Sequence, residues 1–270
     1  MPNQFTNPWS EKEIIFIKKN IGKFTYKQIG KIIKRSPSSI QSKIRYLPFK
    51  AKVKKYSVNS DFFVSWSEKM AYTLGFVAAD GNICQTGRAH VLHIACDDKD
   101  VIDKIKIAMD YQGPIHSKSR ANGKVSYSLR ICDQKIFTDL KKLKITERKS
   151  LTLDPPRIPK LYMRHFLRGY FDGDGTVVFR NTRYPSKLVV IIYTASRKMA
   201  IFLHKNLAVI LGKLYKAKIG TKIAHGKTPY YVVYMGHRAA VKIFNYMYQD
   251  TNLYMERKYK KFVDGMNNVN

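Results

Sequence analysis

Acidic residues are scarce in this chain. Across 270 residues, 19 Asp and Glu stand against 50 Lys and Arg, leaving a net charge of +31. A surplus of that size opposes compaction unless a polyanion is bound, so nucleic acid is the expected partner. Cysteine is scarce too: Cys84, Cys96 and Cys132 are odd in number and form no C-x-x-C pair. That pattern argues against a disulfide framework or a zinc site and fits a reducing interior. No segment has the roughly 18 consecutive apolar residues that span a bilayer, so no membrane partner is expected. The first 20 residues carry Glu11 and Glu13 and no apolar run before a cleavage site, so no leader peptide is expected. The expected location is intracellular: the cytoplasm of a bacterial or phage-infected host, or an organelle.

What the chain has instead is a sentence written twice. Residues 71–81 read AYTLGFVAADG and residues 165–175 read HFLRGYFDGDG. Each has helical spacing and ends in Asp-Gly, so each copy donates one carboxylate, Asp80 or Asp174. Gly75 and Ala79 are four apart, as are Gly169 and Gly173. Such pairs put a flat stripe of small residues on one helix face, letting two helices approach closer than the usual spacing of about 8–10 Å. If the two helices pack together, Asp80 and Asp174 lie side by side at C-terminal ends, where the helix dipole is already negative. That arrangement is unfavourable without a cation. All-oxygen ligation with several waters suits Mg²⁺, or another divalent ion such as Mn²⁺.

The order of elements repeats around these helices. Ser65 with Glu68 reads as a capping box opening the first, and Asp97 as the start of a later helix. Strands are expected near 82–86, 88–96, 113–120 and 124–132, then a helix, DQKIFTDLKKLK, and a Pro-rich join, LDPPRIPK. The second copy gives strands near 176–183, 187–194, 214–224 and 229–236, with a terminal helix from about His237. Each copy is αββαββα with antiparallel pairs joined by short turns. The expected class is α+β: two pseudo-symmetric repeats, residues 65–153 and 154–270, forming a DNA-binding saddle. Lys124–Ile131 alternates cleanly, with Val125, Tyr127, Leu129 and Ile131 on one face and Lys124, Ser126, Ser128 and Arg130 on the other. The apolar face packs on helices, and the polar, basic face suits DNA. Candidate DNA contacts from the sheets are Arg88, His90, Arg120, Arg130, Arg180 and Arg183. Strand 187–194, apolar on both faces over Val189–Ile192, reads as a covered central strand.

A small basic module precedes the repeats, over residues 1–47. Ser10 with Glu13 and Thr25 with Gln28 form capping boxes, and Ser36 caps a third helix with Pro37 at its first position. That helix, about Pro37–Leu47, buries Ile40, Ile44 and Leu47. Its other face shows Ser38, Ser39, Gln41, Lys43 and Arg45, which suit base edges and phosphates in a major groove. With Trp9 at its start, the module resembles the Myb/SANT-like helix-turn-helix class over about 40 residues. Residues 48–64 lack helical period and read as a basic linker in which Lys52, Lys54 and Lys55 follow phosphates.

The doubled helices resemble the paired motifs of the LAGLIDADG homing endonucleases in their single-chain form. YTLGFVAADG and FLRGYFDGDG match at the glycines, the apolar positions, the last acid and the closing Gly. The flanks match as well: SWSEKMAY, ERKSLTLDPPRIPKLYMRHF and YMERKYKKF. The resemblance spans about residues 65–265. Ala78 departs from it where Asp172 keeps the family's acid, a position the family uses structurally. The resemblance implies metal-dependent hydrolysis giving a staggered double-strand break in a long, roughly pseudo-palindromic DNA site by a monomer. It also implies that the carbonyls of Ala79 and Gly173 bind metal and that a basic strand residue assists. Lys124 and Lys227, in GKVSY and GKTPY, are candidates for that role; a phosphate contact or a hairpin-tip charge is equally open. Gln85 and Arg180 are weaker alternatives. Two rivals share the fold: a group I intron RNA maturase bound to its own intron RNA, and a non-cutting DNA-binding regulator.

Overall fold

The computed structural model describes residues 8–21, 24–47, 56–87, 89–180, 187–223 and 229–267. The chain divides into two compact units, residues 1–58 with 110–113, and residues 59–109 with 114–270.

In the first unit, α1 (Glu11–Asn20), α2 (Tyr26–Ile33) and α3 (Pro37–Arg45) enclose Ile17, Ile29, Ile40 and Ile44. Both expected capping boxes form. Ser10 Oγ accepts from the Glu13 N–H while Glu13 accepts from the Ser10 N–H, and Thr25 and Gln28 do the same. Ser36 caps α3 through the Ser39 N–H at 3.1 Å. Arg35 ties the ends together. It donates to Glu13 at 2.8 Å and to the Pro8 carbonyl at 2.7 Å, and it lies over the Trp9 ring. Ser38, Gln41 and Arg45 are exposed on α3, while Ser39 and Lys43 are half-buried.

The second unit shows the repeat. The first copy runs α4 (Glu68–Ala79), β1 (Gly81–Thr86), β2 (Ala89–Cys96), α5 (Lys99–Ala108), β3 (His116–Ser119), β4 (Val125–Cys132) and α6 (Gln134–Lys142). The second runs α7 (Met163–Asp174), β5 (Gly175–Arg180), β6 (Lys187–Thr194), α8 (Arg197–Leu211), β7 (Ile219–Ile223), β8 (Pro229–Met235) and α9 (His237–Tyr248). Each copy builds one antiparallel four-stranded sheet, ordered β1-β2-β4-β3 and β5-β6-β8-β7. The registers correspond: Gly81 pairs with Ile94 and Ile94 with Leu129, as Gly175 pairs with Ile192 and Ile192 with Val233. β6 is a central strand as expected, but its two faces differ: Leu188, Val190 and Ile192 are buried against the helices, while on the other face Val189 is buried and Ile191 and Tyr193 are half-buried.

Two local expectations are corrected. The cap of α4 is Ser67, whose side chain accepts from the Met70 N–H at 3.1 Å; Ser65 and Glu68 form no capping box. Trp66 stacks on Tyr162, which keeps that stretch out of the helix and starts α4 at Glu68. The chain also does not end in one helix from His237. Asp250 adopts a left-handed conformation after α9, and a further helix, α10 (Glu256–Asn267), follows.

The centre of this unit is the contact between α4 and α7. A Cβ on Gly75 would overlap the Phe166 carbonyl, and one on Gly169 would overlap the Tyr72 carbonyl. The relation is reciprocal: each glycine lies on the opposite helix's backbone, and the aromatic rings of Tyr72, Phe76, Phe166 and Tyr170 fill the space around the crossing, fully buried. A fully buried polar bond crosses it. Tyr72 OH donates to Asp172 at 2.7 Å, and Asp172 also accepts from Tyr248 OH at 2.7 Å and the Met255 N–H at 2.9 Å. Arg168 is fully buried beside it, donating to the carbonyls of Leu253 and Met247, with its guanidinium over the Tyr72 ring. The first copy has Leu74 and Ala78 at these positions, both buried. Asp172 is therefore held as a structural acid, and its replacement by Ala78 in the other copy leaves no donor stranded there.

The glycine contact gives a direct test. Ala favours helix over Gly by about 1 kcal/mol, yet Gly169→Ala is expected to lower the melting temperature, because backbone atoms cannot move aside. Gly236→Ala, with open space around it at the cap of α9, is expected to cost only the small preference of a helix cap for glycine, well short of the Gly169→Ala loss. Thermal unfolding followed by circular dichroism decides; an unchanged Gly169→Ala melt would refute the close approach.

Candidate active site

The glycine crossing brings the C-terminal ends of α4 and α7 together. A Cβ on Gly173 would overlap the Ala79 side chain and stand 3.4 Å from Asp80 Oδ2, so the Asp80 carboxylate lies against the last turn of α7. Asp174 closes that same turn. Both acids open into a cleft of about 570 Å³, lined also by Ala79, Ser150, Tyr170 and Tyr193.

The electrostatics are those of an unbalanced acid pair. Burial pushes the Asp174 carboxyl up to about 6, and the nearby Asp80 charge adds to the rise; Lys149, a hydrogen bond from Tyr170 and Lys258 oppose it. Asp80 keeps solvent exposure as a residue, yet protein atoms ring its carboxyl. Burial raises its pKa against the pull of Lys258 and Lys149.

Sequence reasoning missed these two lysines. Lys149 is buried, and its ammonium donates to the carbonyls of Gly81 at 2.5 Å and Ala79 at 3.4 Å, the end of α4. Lys258 is buried too and donates to the carbonyls of Phe171, Asp172 and Gly173 at 2.8, 2.6 and 3.1 Å, the end of α7. A cation at a helix C-terminus meets the negative end of the dipole. Burial lowers the pKa of each lysine, while nearby acids hold it up, Asp174 and Asp80 for Lys149 and chiefly Asp172 for Lys258. The sequence did carry a signal: Glu147-Arg148-Lys149 and Glu256-Arg257-Lys258 are the same tripeptide, one for each helix end.

The donor set fits a hard divalent cation. Among the described residues no three His, Cys, Asp or Glu side chains converge. The two carboxylates leave the rest of a coordination shell to main-chain oxygen, water or phosphate, which is how Mg²⁺ is commonly held. The carbonyls of Ala79 and Gly173 already accept from Lys149 and Lys258; a carbonyl oxygen has a second lone pair.

The other expected site residues are scattered. Lys124 is exposed at the β3–β4 hairpin tip, five residues along β4 from the Leu129 row beside the acids, or about 17 Å at strand rise. His90 is corrected: its ring packs on Phe137 of α6, 4.8 Å between centroids, on the helix-covered face. Arg130 is exposed on the opposite face, in one row with Asn82 and His93. Arg120 is exposed and paired with Asp97 at 2.8 Å. Arg180 closes β5 opposite Lys187. The main-chain N–H of Gln85 donates to Glu147 at 2.9 Å, and its side-chain amide donates to the Gly87 carbonyl at 3.2 Å. Lys52, Lys54, Lys55, Arg88, Arg183 and Lys227 lie outside the described residues.

A carboxyl whose folded pKa is raised favours the fold most at low pH, and that stability is lost as pH rises through the folded value. For Asp174 the window runs from 3.8 to about 6. Asp174→Asn is therefore expected to stabilise the metal-free protein at pH 7.5 by about 1–3 kcal/mol, and to change little at pH 4. Melting curves in chelator at the two pH values test this; equal melting temperatures for variant and parent at pH 7.5 would contradict it.

Residues 161–247 match the LAGLIDADG-like domain family. No curated protein sequence matches the chain. Among solved structures, the homing endonuclease I-WcaI bound to its DNA recognition sequence aligns with TM-score 0.51 and 15% identity, over 74% of this chain and 90% of that one. The LAGLIDADG meganuclease I-AabMI bound to uncleaved DNA gives TM-score 0.49 and 15% identity over 75% and 90%. The LAGLIDADG homing endonuclease I-LtrWI bound to target DNA gives 0.46 and 12% over 77% and 89%. With its doubled acid-tipped helix and two like-ordered sheets, the chain carries a LAGLIDADG-like domain and has the fold of the single-chain LAGLIDADG homing endonucleases.

Proposed function

We propose that this protein is a site-specific, divalent-metal-dependent DNA endonuclease that makes a staggered double-strand break in a long, roughly pseudo-palindromic target. The observation that carries the reading is the pairing of Asp80 and Asp174 at the ends of two helices locked by reciprocal glycines. Asp80 and Asp174 would hold the cation, each serving one strand. When bound, the metal polarises the scissile phosphate, activates water and stabilises the leaving oxygen. Lys149 and Lys258 fix the helix ends and offset the acids, leaving the cluster near neutrality once DNA displaces solvent. The faces of the two sheets turned away from the helices lie along successive major grooves, and the net charge of +31 supplies the affinity for phosphate.

The first unit extends the site. In this reading it is a Myb-like reader ending near residue 47, joined by the basic stretch 48–64 to repeats that divide near 153. Residues Ser38, Gln41 and Arg45 of α3 are its DNA-facing set. A monomer suffices, since one chain holds both acids. The relative I-WcaI is described as bound to its DNA recognition sequence, which supports a DNA partner for this chain.

Two experiments test the proposal. Asp80→Asn and Asp174→Asn are each expected to abolish double-strand cleavage in Mg²⁺ while sparing binding in gel shifts. Cleavage at the parental rate by either variant would sink the metal-site assignment. Deleting residues 1–50 is expected to weaken binding at least tenfold and shorten the footprint; an unchanged footprint would remove the first unit from recognition.

A further inference from the structure

The two sheets have the same order and the same register, so their outward faces can be compared row by row. Residues level with each other across a sheet share a face, and the face alternates along each strand. In the first sheet, Ile83–Leu92–Ile131 is a row buried against the helices. The neighbouring row, on the opposite face, is Asn82–His93–Arg130. Asn82 and Arg130 are exposed and His93 is half-buried. The next row outward on that face is Ala95–Ser128–His116, followed by Ser126–Lys118. These rows are mostly hydrogen-bond donors and acceptors, Ala95 excepted; on the other side of the Asn82 row the same face continues as Cys84–Val91–Cys132, with Val91 buried.

The corresponding row of the second sheet is Thr176–Ile191–Tyr234. The row beyond it is Tyr193–Val232–Gly220, and Tyr230 follows on β8 opposite Lys222. Ile191, Tyr193 and Tyr230 are half-buried, Tyr234 is 37% exposed, and the Tyr193 and Tyr230 rings lie 6.0 Å apart. On the helix side of this sheet, Val177, Val190, Ile192 and Met235 are buried as their counterparts are in the first. The duplication thus preserved the backbone and the core and changed the chemistry of one face. Where the first sheet offers an amide, an imidazole and a guanidinium, the second offers a threonine, an isoleucine and a tyrosine.

We infer that the two half-sites are read by different chemistry: the first sheet reads by hydrogen bonds, with Arg130 on a guanine edge, and the second by packing Ile191, Thr176 and the Tyr193–Tyr230–Tyr234 cluster on thymine methyl groups. This rests on the DNA reading above. The physical grounds are the groove's own pattern. Arg is suited to the two acceptors of guanine and Asn to adenine, whereas an apolar side chain can distinguish a base pair in the major groove chiefly through the thymine C5-methyl. Among the described residues, the rows Thr176–Ile191–Tyr234 and Tyr193–Val232–Gly220 carry no fork-shaped donor; Arg180 and Lys187 stand on the same face two rows farther along, so the contrast belongs to these two rows, where Ile191 in the seat of His93 has only methyl groups to offer. The base pairs under these two rows of the second sheet are therefore A·T, and the target is asymmetric there although the backbone that holds it is symmetric.

Selection of duplexes from a random pool by the full-length chain, in Ca²⁺ and at fixed salt, tests this. Recovered sites are expected to hold guanine-containing positions under one half and A·T runs under the other. Remaking a recovered site with deoxyuridine for thymidine removes the methyl groups and keeps the pairing. The expected loss in affinity is about fourfold per contacted methyl, confined to the A·T-rich half, and Ile191→Ala abolishes part of that loss. Arg130→Gln is expected to relax selection in the other half and leave uracil sensitivity unchanged. Equal uracil sensitivity of the two halves, or none, overturns the inference while DNA binding stands. Recovery of no duplex at all overturns the DNA reading itself, and preferential capture of structured RNA would transfer the site to that partner.

Discussion

Two helices cannot touch backbone to backbone unless something is missing between them, and here the missing atoms are the side chains of Gly75 and Gly169. Everything else in the larger unit follows from that contact. It fixes where the two sheets begin, because β1 and β5 each start at the residue after the acid. It fixes the acids themselves, since each is the last step of a helix whose path is already determined. It also explains the aromatic density around the crossing: with the axis stripped of side chains, Tyr72, Phe76, Phe166 and Tyr170 must fill the flanks. Packing of this kind stabilises through area removed from water and tolerates little change in volume.

The charge at the cleft is a second consequence. Helix C-termini repel carboxylates, so Asp80 and Asp174 stand where folding alone would not put them. The chain offsets this locally with Lys149 and Lys258, each inserted under one helix end and bonded to its carbonyls. The lysines stabilise the helix ends, but they do not bring the acids back to ordinary titration: Asp174 still sits near 6. That raised carboxyl is a property of the folded protein before any ligand arrives.

Much of this was legible from residues alone, for identifiable reasons. The doubled motif, the small-residue stripes and the caps at Ser10, Thr25 and Ser36 are local patterns, and local patterns survive in sequence. The αββαββα order was legible because strand alternation and turn residues carry it. The role of Lys149 and Lys258 was not. The acids are offset from their lysines by different numbers of residues in the two copies, so spacing does not align them, and a buried ammonium reads in sequence like any other lysine on a very basic chain. Lys124 attracted attention because its hairpin repeats as GKVSY and GKTPY, yet a hairpin tip is the part of a sheet farthest from its first row. His90 and His93 differ by an odd number of positions, so one had to face the helices; composition could not say which, and Phe137 decided it. Ser67 rather than Ser65 caps α4 because Trp66 is held by Tyr162, a partner distant in sequence.

The bond between Tyr72 and Asp172 has a consequence of its own. It joins unlike residues: the place of Tyr72 in the second helix is taken by Phe166, and that of Asp172 in the first by Ala78. Were two copies of α7 to pair, each Asp172 would lose a donor inside an apolar contact. Were two copies of α4 to pair, each Tyr72 hydroxyl would be sealed away with no acceptor. Stranding such groups costs on the order of 1–3 kcal/mol apiece. The halves therefore recognise each other and reject themselves: this one bond favours the pairing of unlike helices over either pairing of like ones.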